Sequence, residues 1–338
     1  MHLSTSESLV MRFRHFTTRT FLLFFPGMDN LVCWIARALV AVIQALPMRL
    51  VARIGRAGGA VLYLLDRRHR RVALKNLTMC FGREKSAEEI RALARENFRR
   101  LGENYLTAVK SAAMSFEEIQ RHLSFTGGER VAPPPPGGKP RSVILAIGHF
   151  GNFELYARLV KYMPEYKVAT TYRGLRQPGL NRLMQSLRET SGCLYFDRRT
   201  QGDELKELLG QPGVLLGLLT DQRTVQGALR LPFLGHECST NAAPAIFTRR
   251  YRAALHTCIC QRTGLAQWRL EMGPEIPTRE NGQARSTEAL MRDIHQALEA
   301  AVRRDPANWF WVHNRWKLPQ PEAKASKATA TNWETVTQ

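Results

Sequence analysis

Apolar positions follow two different rhythms along this chain. Between residues 28 and 125 they recur every three to four positions, the spacing of helices with one buried face. Within that stretch Ser86 and Glu89 have the spacing of a capping box. The helix they open carries Ile90, Leu93, Ala94, Phe98 and Leu101 on one side. Residues 132–140 (APPPPGGKP) admit neither helix nor central strand and predict a loop. Beyond it come short unbroken apolar runs of the kind that form buried parallel strands, at 142–147, 166–171, 213–220, 253–260 and 268–272. Helical spacing separates most of them, at 154–162, 180–190, 203–209, 242–250 and 287–303. Such alternation predicts the α/β class, a mostly parallel sheet sandwiched by helices. The expected division is an N-terminal extension (1–27), a helical membrane-associated region (28–131), a Pro/Gly loop (132–141), an α/β core (142–317) and a disordered tail (318–338).

Residues 31–46 (LVCWIARALVAVIQAL) are the most apolar segment, but Arg37 and Gln44 interrupt them. They fall short of the ~20 clean apolar residues that span a bilayer. The segment reads as a poor or tilted anchor, an amphipathic helix lying in the interface, or an ordinary buried helix. No cleavage site follows it, so a secretory signal is not expected. The basic run at 67–71 (RRHRR) then argues for a cytoplasmic, anionic lipid face.

Charge extends that picture. Against 29 acidic residues stand 49 Lys and Arg, a formal +20. The basic pairs are spread along the chain, so anionic partners are expected rather than a single basic tail. Six scattered cysteines include no CxxC pair and imply neither a zinc ribbon nor a disulfide framework. His256, Cys258 and Cys260 share one strand face; they read as small buried strand residues in preference to a metal site, and no metal is expected.

The chemistry concentrates directly after the first core strand, in GHFGNFE at 148–154. Catalytic groups of parallel sheets gather where strands end and loops lead into helices. His149 falls in that loop and Glu154 in the first turn beyond it. If the chain turns back, the carboxylate reaches the imidazole, fixes its tautomer and leaves the other nitrogen free to take a proton.

HFGNFE resembles the H-x4-D/E motif of the glycerolipid and lysophospholipid acyltransferase superfamily. More specifically the chain resembles the lipid A biosynthesis acyltransferases, which transfer lauroyl or myristoyl chains. The likeness is carried by 70–82 (RRVALKNLTMCFG), 94–98 (ARENF), Tyr172-Arg173, Asp221-Gln222, 231–235 (LPFLG) and 309–317 (WFWVHNRWK), and runs from about 30 to 318. It implies that His149, oriented by Glu154, acts as general base on an acceptor hydroxyl, with no acyl-enzyme. The donor is then an acyl carrier protein thioester, a co-substrate, with no further cofactor. By family position Arg173 and Arg188 bind phosphate or the acceptor, and Asp221 positions an arginine or the acceptor. The implied partners are acyl carrier protein, a phosphorylated glycolipid and an anionic membrane surface, at the cytoplasmic side of a bacterial inner membrane. Another glycolipid or a lysophospholipid is the alternative acceptor. A hydrolase on the same scaffold would release free fatty acid. Nucleic-acid binding is allowed by charge, yet no motif of that class appears, so none is expected.

Overall fold

A computed structural model describes residues 28–131, 138–175, 177–225 and 228–318. The expected N-terminal extension, most of the Pro/Gly loop and nearly all of the expected tail lie outside the described residues.

Among the described residues five helices come first: α1 (Met28–Ala45), α2 (Met48–Leu65), α3 (Arg67–Phe81), α4 (Ala87–Ala112) and α5 (Phe116–Gln120). The capping box at the start of α4 forms: Ser86 Oγ accepts from Glu89 N at 3.2 Å, and Glu89 returns a carboxylate to Ser86 N at 2.7 Å. Strands β1 (Leu123–Thr126) and β2 (Val143–Ile147) follow, then a 3-10 segment (Phe153–Arg158) running into α6 (Leu159–Tyr162). Next come β3 (Lys167–Tyr172), α7 (Pro178–Glu189), β4 (Leu194–Asp197), α8 (Gly202–Leu209) and β5 (Val214–Leu219). The hairpin β6 (Ala228–Phe233) and β7 (His236–Asn241) leads to α9 (Ala243–Arg250), β8 (Ala254–Gly264) and β9 (Gln267–Met272). A short hairpin, β10 (Arg279–Glu280) with β11 (Gln283–Ala284), precedes the last long helix, α10 (Thr287–Arg304).

Seven strands build one sheet in the order β1-β9-β8-β2-β5-β3-β4, parallel at every pairing except the β8–β9 hairpin. The α/β class and the mostly parallel sheet are as expected. All five residues of β2 are buried, as a strand covered on both faces requires.

Two local readings change. Residues 123–125 do not continue the helices; they are strand, because β1 pairs in parallel with β9 and completes the sheet edge. Most of the helix expected at 154–162 is the 3-10 segment. The β6–β7 hairpin turns through Leu234 and Gly235, both at positive φ (50° and 78°), the geometry of a tight two-residue hairpin.

The helical region is packed firmly onto this core. Helices α2 and α4 cross at Gly55, Gly59 and Gly102, where a Cβ on any of the three would run into main chain of the other helix. Below the crossing Glu103 is fully buried and accepts from Arg56 Nη1 (3.3 Å), Arg262 Nε (3.0 Å) and Ala266 N (2.9 Å). One carboxylate thus ties α2 and α4 to the β8–β9 hairpin. The outer sides of α1 and α2 carry exposed Leu31, Trp34, Ile35, Leu39 and Val42, then Leu50, Ile54, Val61 and Leu65. Among the described residues no helix is long and apolar enough to cross a membrane.

Candidate active site

Strands β2 and β5 are neighbours, with Ile147 opposite Leu219. Two residues further along each strand stand His149 and Asp221, so adjacent strand ends bring them together. His149 Nδ1 lies 2.7 Å from Asp221 Oδ1, and the His149 main-chain N–H donates to Oδ2 at 2.7 Å. Trp309 Nε1 donates to the same Oδ2 at 2.7 Å. The carboxylate is almost wholly buried. Burial alone would raise its pKa; the His149 charge, with hydrogen bonds from His149 and Trp309, overcomes this and holds it below the ordinary carboxylate value. The glycines around His149 are sterically required. A Cβ on Gly148 would stand 2.6 Å from the Phe150 ring. Gly151 (φ +50°) lies where a Cβ would meet the Cys260 carbonyl at 2.7 Å.

Glu154 does not meet His149 in this structure, and the expected contact is corrected. Its carboxylate takes both prongs of Arg188, with Nη2 at 2.7 Å and Nε at 3.2 Å. The reason is geometric: Asp221, matched to His149 across the strand pair, already occupies Nδ1, and Arg188 claims both Glu154 oxygens. Arg188 also lies over the Tyr172 and Tyr195 rings, 5.7 and 5.4 Å from their centroids. Burial works to lower the guanidinium's pKa, but Glu154 outweighs it and the net shift is upward. Arg188 is therefore a fixed, neutralised cation in the wall of the site.

His149 and the Glu154–Arg188 pair line a cavity of about 610 Å³. Its polar mouth holds His149, Glu154, Arg188 and Gln222, together with Arg173, Arg198 and Arg223. Its inner part follows one face of the sheet, where Leu145 and Ile147 of β2, Leu215 and Gly217 of β5 and Val168 of β3 alternate inward. Ala157 and Leu159 cover that face. Four residue steps separate Leu145 from His149, so the slot runs roughly 13 Å from the imidazole. Arg173, expected to bind substrate, is exposed at the mouth. Arg188 and Asp221 also belong to the site, but each is bound to a protein partner.

Two contributors were not among the expected site residues: Trp309 and Gln222, whose side-chain N lies 3.2 Å from His149 Nε2. Both sit in the stretches that carry the family likeness, which is the signal that points to them. The helical region fixes the segment bearing Trp309. Asn97 donates to the carbonyls of Ala307 (3.0 Å) and Trp309 (2.6 Å), and Asn76 to those of Trp311 and His313, both at 2.9 Å. Phe150 and Trp309 form an antiparallel bridge.

Behind the site His295 is buried, with Nδ1 on the Pro232 carbonyl (2.7 Å) and Nε2 3.1 Å from Arg315 Nη2. Burial, then the Arg315 charge, pushes its pKa from 6.5 down to about 4. A basic group held neutral in the fold but free to protonate when unfolded removes stability as pH falls from the unfolded value through the folded one. Stability should therefore decline between pH 6.5 and about 4, by on the order of 3 kcal/mol from this residue. Thermal unfolding across that range should show the slope, and His295→Gln should flatten it.

Fold and site together define an α/β enzyme with a carboxylate-oriented histidine above an apolar slot. A family model described as bacterial lipid A biosynthesis acyltransferase matches residues 25–318. The chain belongs to that family and is an acyltransferase of lipid A biosynthesis. No curated protein matches it.

Proposed function

We propose that the protein transfers a fatty acyl chain from an acyl carrier protein thioester to a hydroxyl of a phosphorylated lipid A precursor, with His149 as general base. The observation that carries this reading is the His149 imidazole, tied at Nδ1 to buried Asp221 and lining a cavity that joins an apolar slot to an arginine-lined mouth. Nε2 takes the acceptor's proton as its oxygen attacks the thioester carbonyl carbon. The C–S bond then breaks, and the proton passes from Nε2 to the departing thiolate. Asp221 stays ionised and stabilises the imidazolium. An acyl-enzyme is not needed. Cys193, which lines the same cavity, is a poor nucleophile there because burial pushes its thiol up to about 12.

Arg173, Arg198 and Arg223 suit the phosphate of the acceptor or of the carrier's prosthetic arm, since a guanidinium pairs bidentately with phosphate oxygens. The exposed stripes of α1 and α2 suit an interfacial seat on an anionic inner membrane, cytoplasmic side, and α1 packs on α7, the helix bearing Arg188. Arg67, Arg71 and Lys75 continue the second stripe as a basic ridge. No cofactor beyond the donor is invoked.

Mass spectrometry of lipid A from cells with and without the gene tests the acceptor, and purified protein with acyl carrier protein thioester tests the donor. Unchanged lipid A in the deletion strain sinks the reading. The slot makes its own prediction. Gly217 faces it, with room for a Cβ 3.4 Å from Ile147 Cδ1. Gly217→Val should shift preference toward shorter acyl donors, changing the short-to-long ratio of kcat/KM by roughly tenfold or more.

A further inference from the structure

The catalytic imidazole meets two side chains by hydrogen bond, and base orientation explains just one. Asp221 receives Nδ1–H, so Nε2 carries the lone pair. The Gln222 carboxamide therefore presents an N–H to Nε2 across the 3.2 Å that separates them. That lone pair is the one that must take the acceptor's proton.

Gln222 is itself held from behind. Arg315 is fully buried. Its Nη1 donates to the main-chain carbonyl of Gln222 at 2.8 Å and to that of Ser239 at 3.0 Å. Its Nη2 donates to Thr240 Oγ1 at 2.8 Å and lies 3.1 Å from His295 Nε2. The guanidinium also stacks over Phe233, 5.4 Å from the ring centroid. None of these acceptors is a carboxylate. A cation buried on neutral acceptors is a poor source of stability. What the planar fork supplies is direction: it locks the loop after β5 to β7 and α10.

We infer that Gln222 caps the Nε2 lone pair in the free enzyme and yields it to the acceptor hydroxyl, and that Arg315 is the positioning residue that holds the cap in place. The inference rests on the general-base reading of His149. A capped base does not activate water against a bound thioester; the acceptor hydroxyl, by displacing the amide, restores the base at the moment it is needed.

Diethyl pyrocarbonate acylates unprotonated imidazole nitrogen, and peptide mass spectrometry gives its rate at His149 in the full chain. Gln222→Met keeps the volume and removes the N–H. It should raise that rate about five-fold, the weight of one neutral hydrogen bond. Arg315→Lys keeps the charge but loses the fork, and should raise the rate by a similar factor. If Arg315 acts through Gln222, the double variant reacts no faster than either single one. Thermal unfolding establishes that the compared variants are folded; Thr240→Val, which removes one Arg315 acceptor, replaces Arg315→Lys if that variant does not fold. An unchanged rate in Gln222→Met, or factors that multiply in the double variant, overturns the inference. The readout needs no acyl transfer, so a protein with these rates but no transferase activity would refute the acyltransferase mechanism and leave the cap standing.

Discussion

His149→Ala is expected to lower acyl transfer roughly 10²–10⁴-fold, the usual contribution of a positioned general base. The apolar slot and the arginines at the mouth are untouched, so the loss should appear in kcat with KM little changed. The variant also strips buried Asp221 of the imidazole that helps keep its carboxylate ionised. Some loss of stability is therefore expected alongside the loss of rate. His149→Gln separates the two effects. Its amide N–H can still donate toward Asp221, but it has no nitrogen basic enough to take a proton. Thermal stability should lie closer to wild type than in His149→Ala, while transfer falls as far. A steady-state assay with acyl carrier protein thioester and lipid A precursor measures both constants. Full activity in either variant would remove His149 from the mechanism.

The parts of this site legible in the sequence are those set by local rules. The β2 run followed by GHFG announced a strand ending in a tight loop, and the capping box at Ser86 announced the start of α4. What was hidden depends on which strands become neighbours. Asp221 stands 72 residues beyond His149, and nothing in either local pattern states that β2 and β5 pair. With only the near carboxylate in view, Glu154 was the natural candidate for Nδ1. Strand pairing also hid β1, whose first three residues read as the end of a helical region until β9 offers them a ladder. Similarly, Asn76, Asn97 and Trp309 lie in three distant motifs, each unremarkable in isolation. Their contact is made by folding the helical region over the sheet, where two amides grip the segment that carries the tryptophan.

Asp221→Asn should cost nearly as much as loss of the base itself, roughly 10²–10⁴-fold in kcat. Three N–H groups converge on the carboxylate: His149 N, His149 Nδ1 and Trp309 Nε1. An asparagine offers them one acceptor oxygen and introduces two more donors. The arrangement is relieved if Nδ1 gives up its proton and accepts from the new amide. The proton then resides on Nε2, the nitrogen that must receive one from the acceptor, and the base is blocked. Glu154→Gln is the necessary comparison. It removes the negative charge opposite Arg188 but leaves one oxygen to accept from it, and it does not touch His149. A cost of up to about tenfold is expected, weighted toward KM, because Arg188 lines the wall of the cavity. The ranking of the two isosteric substitutions decides which carboxylate orients the base. If Glu154→Gln abolished turnover while Asp221→Asn stayed active, the orienting role would return to Glu154, and the resting geometry would have to rearrange when substrate binds.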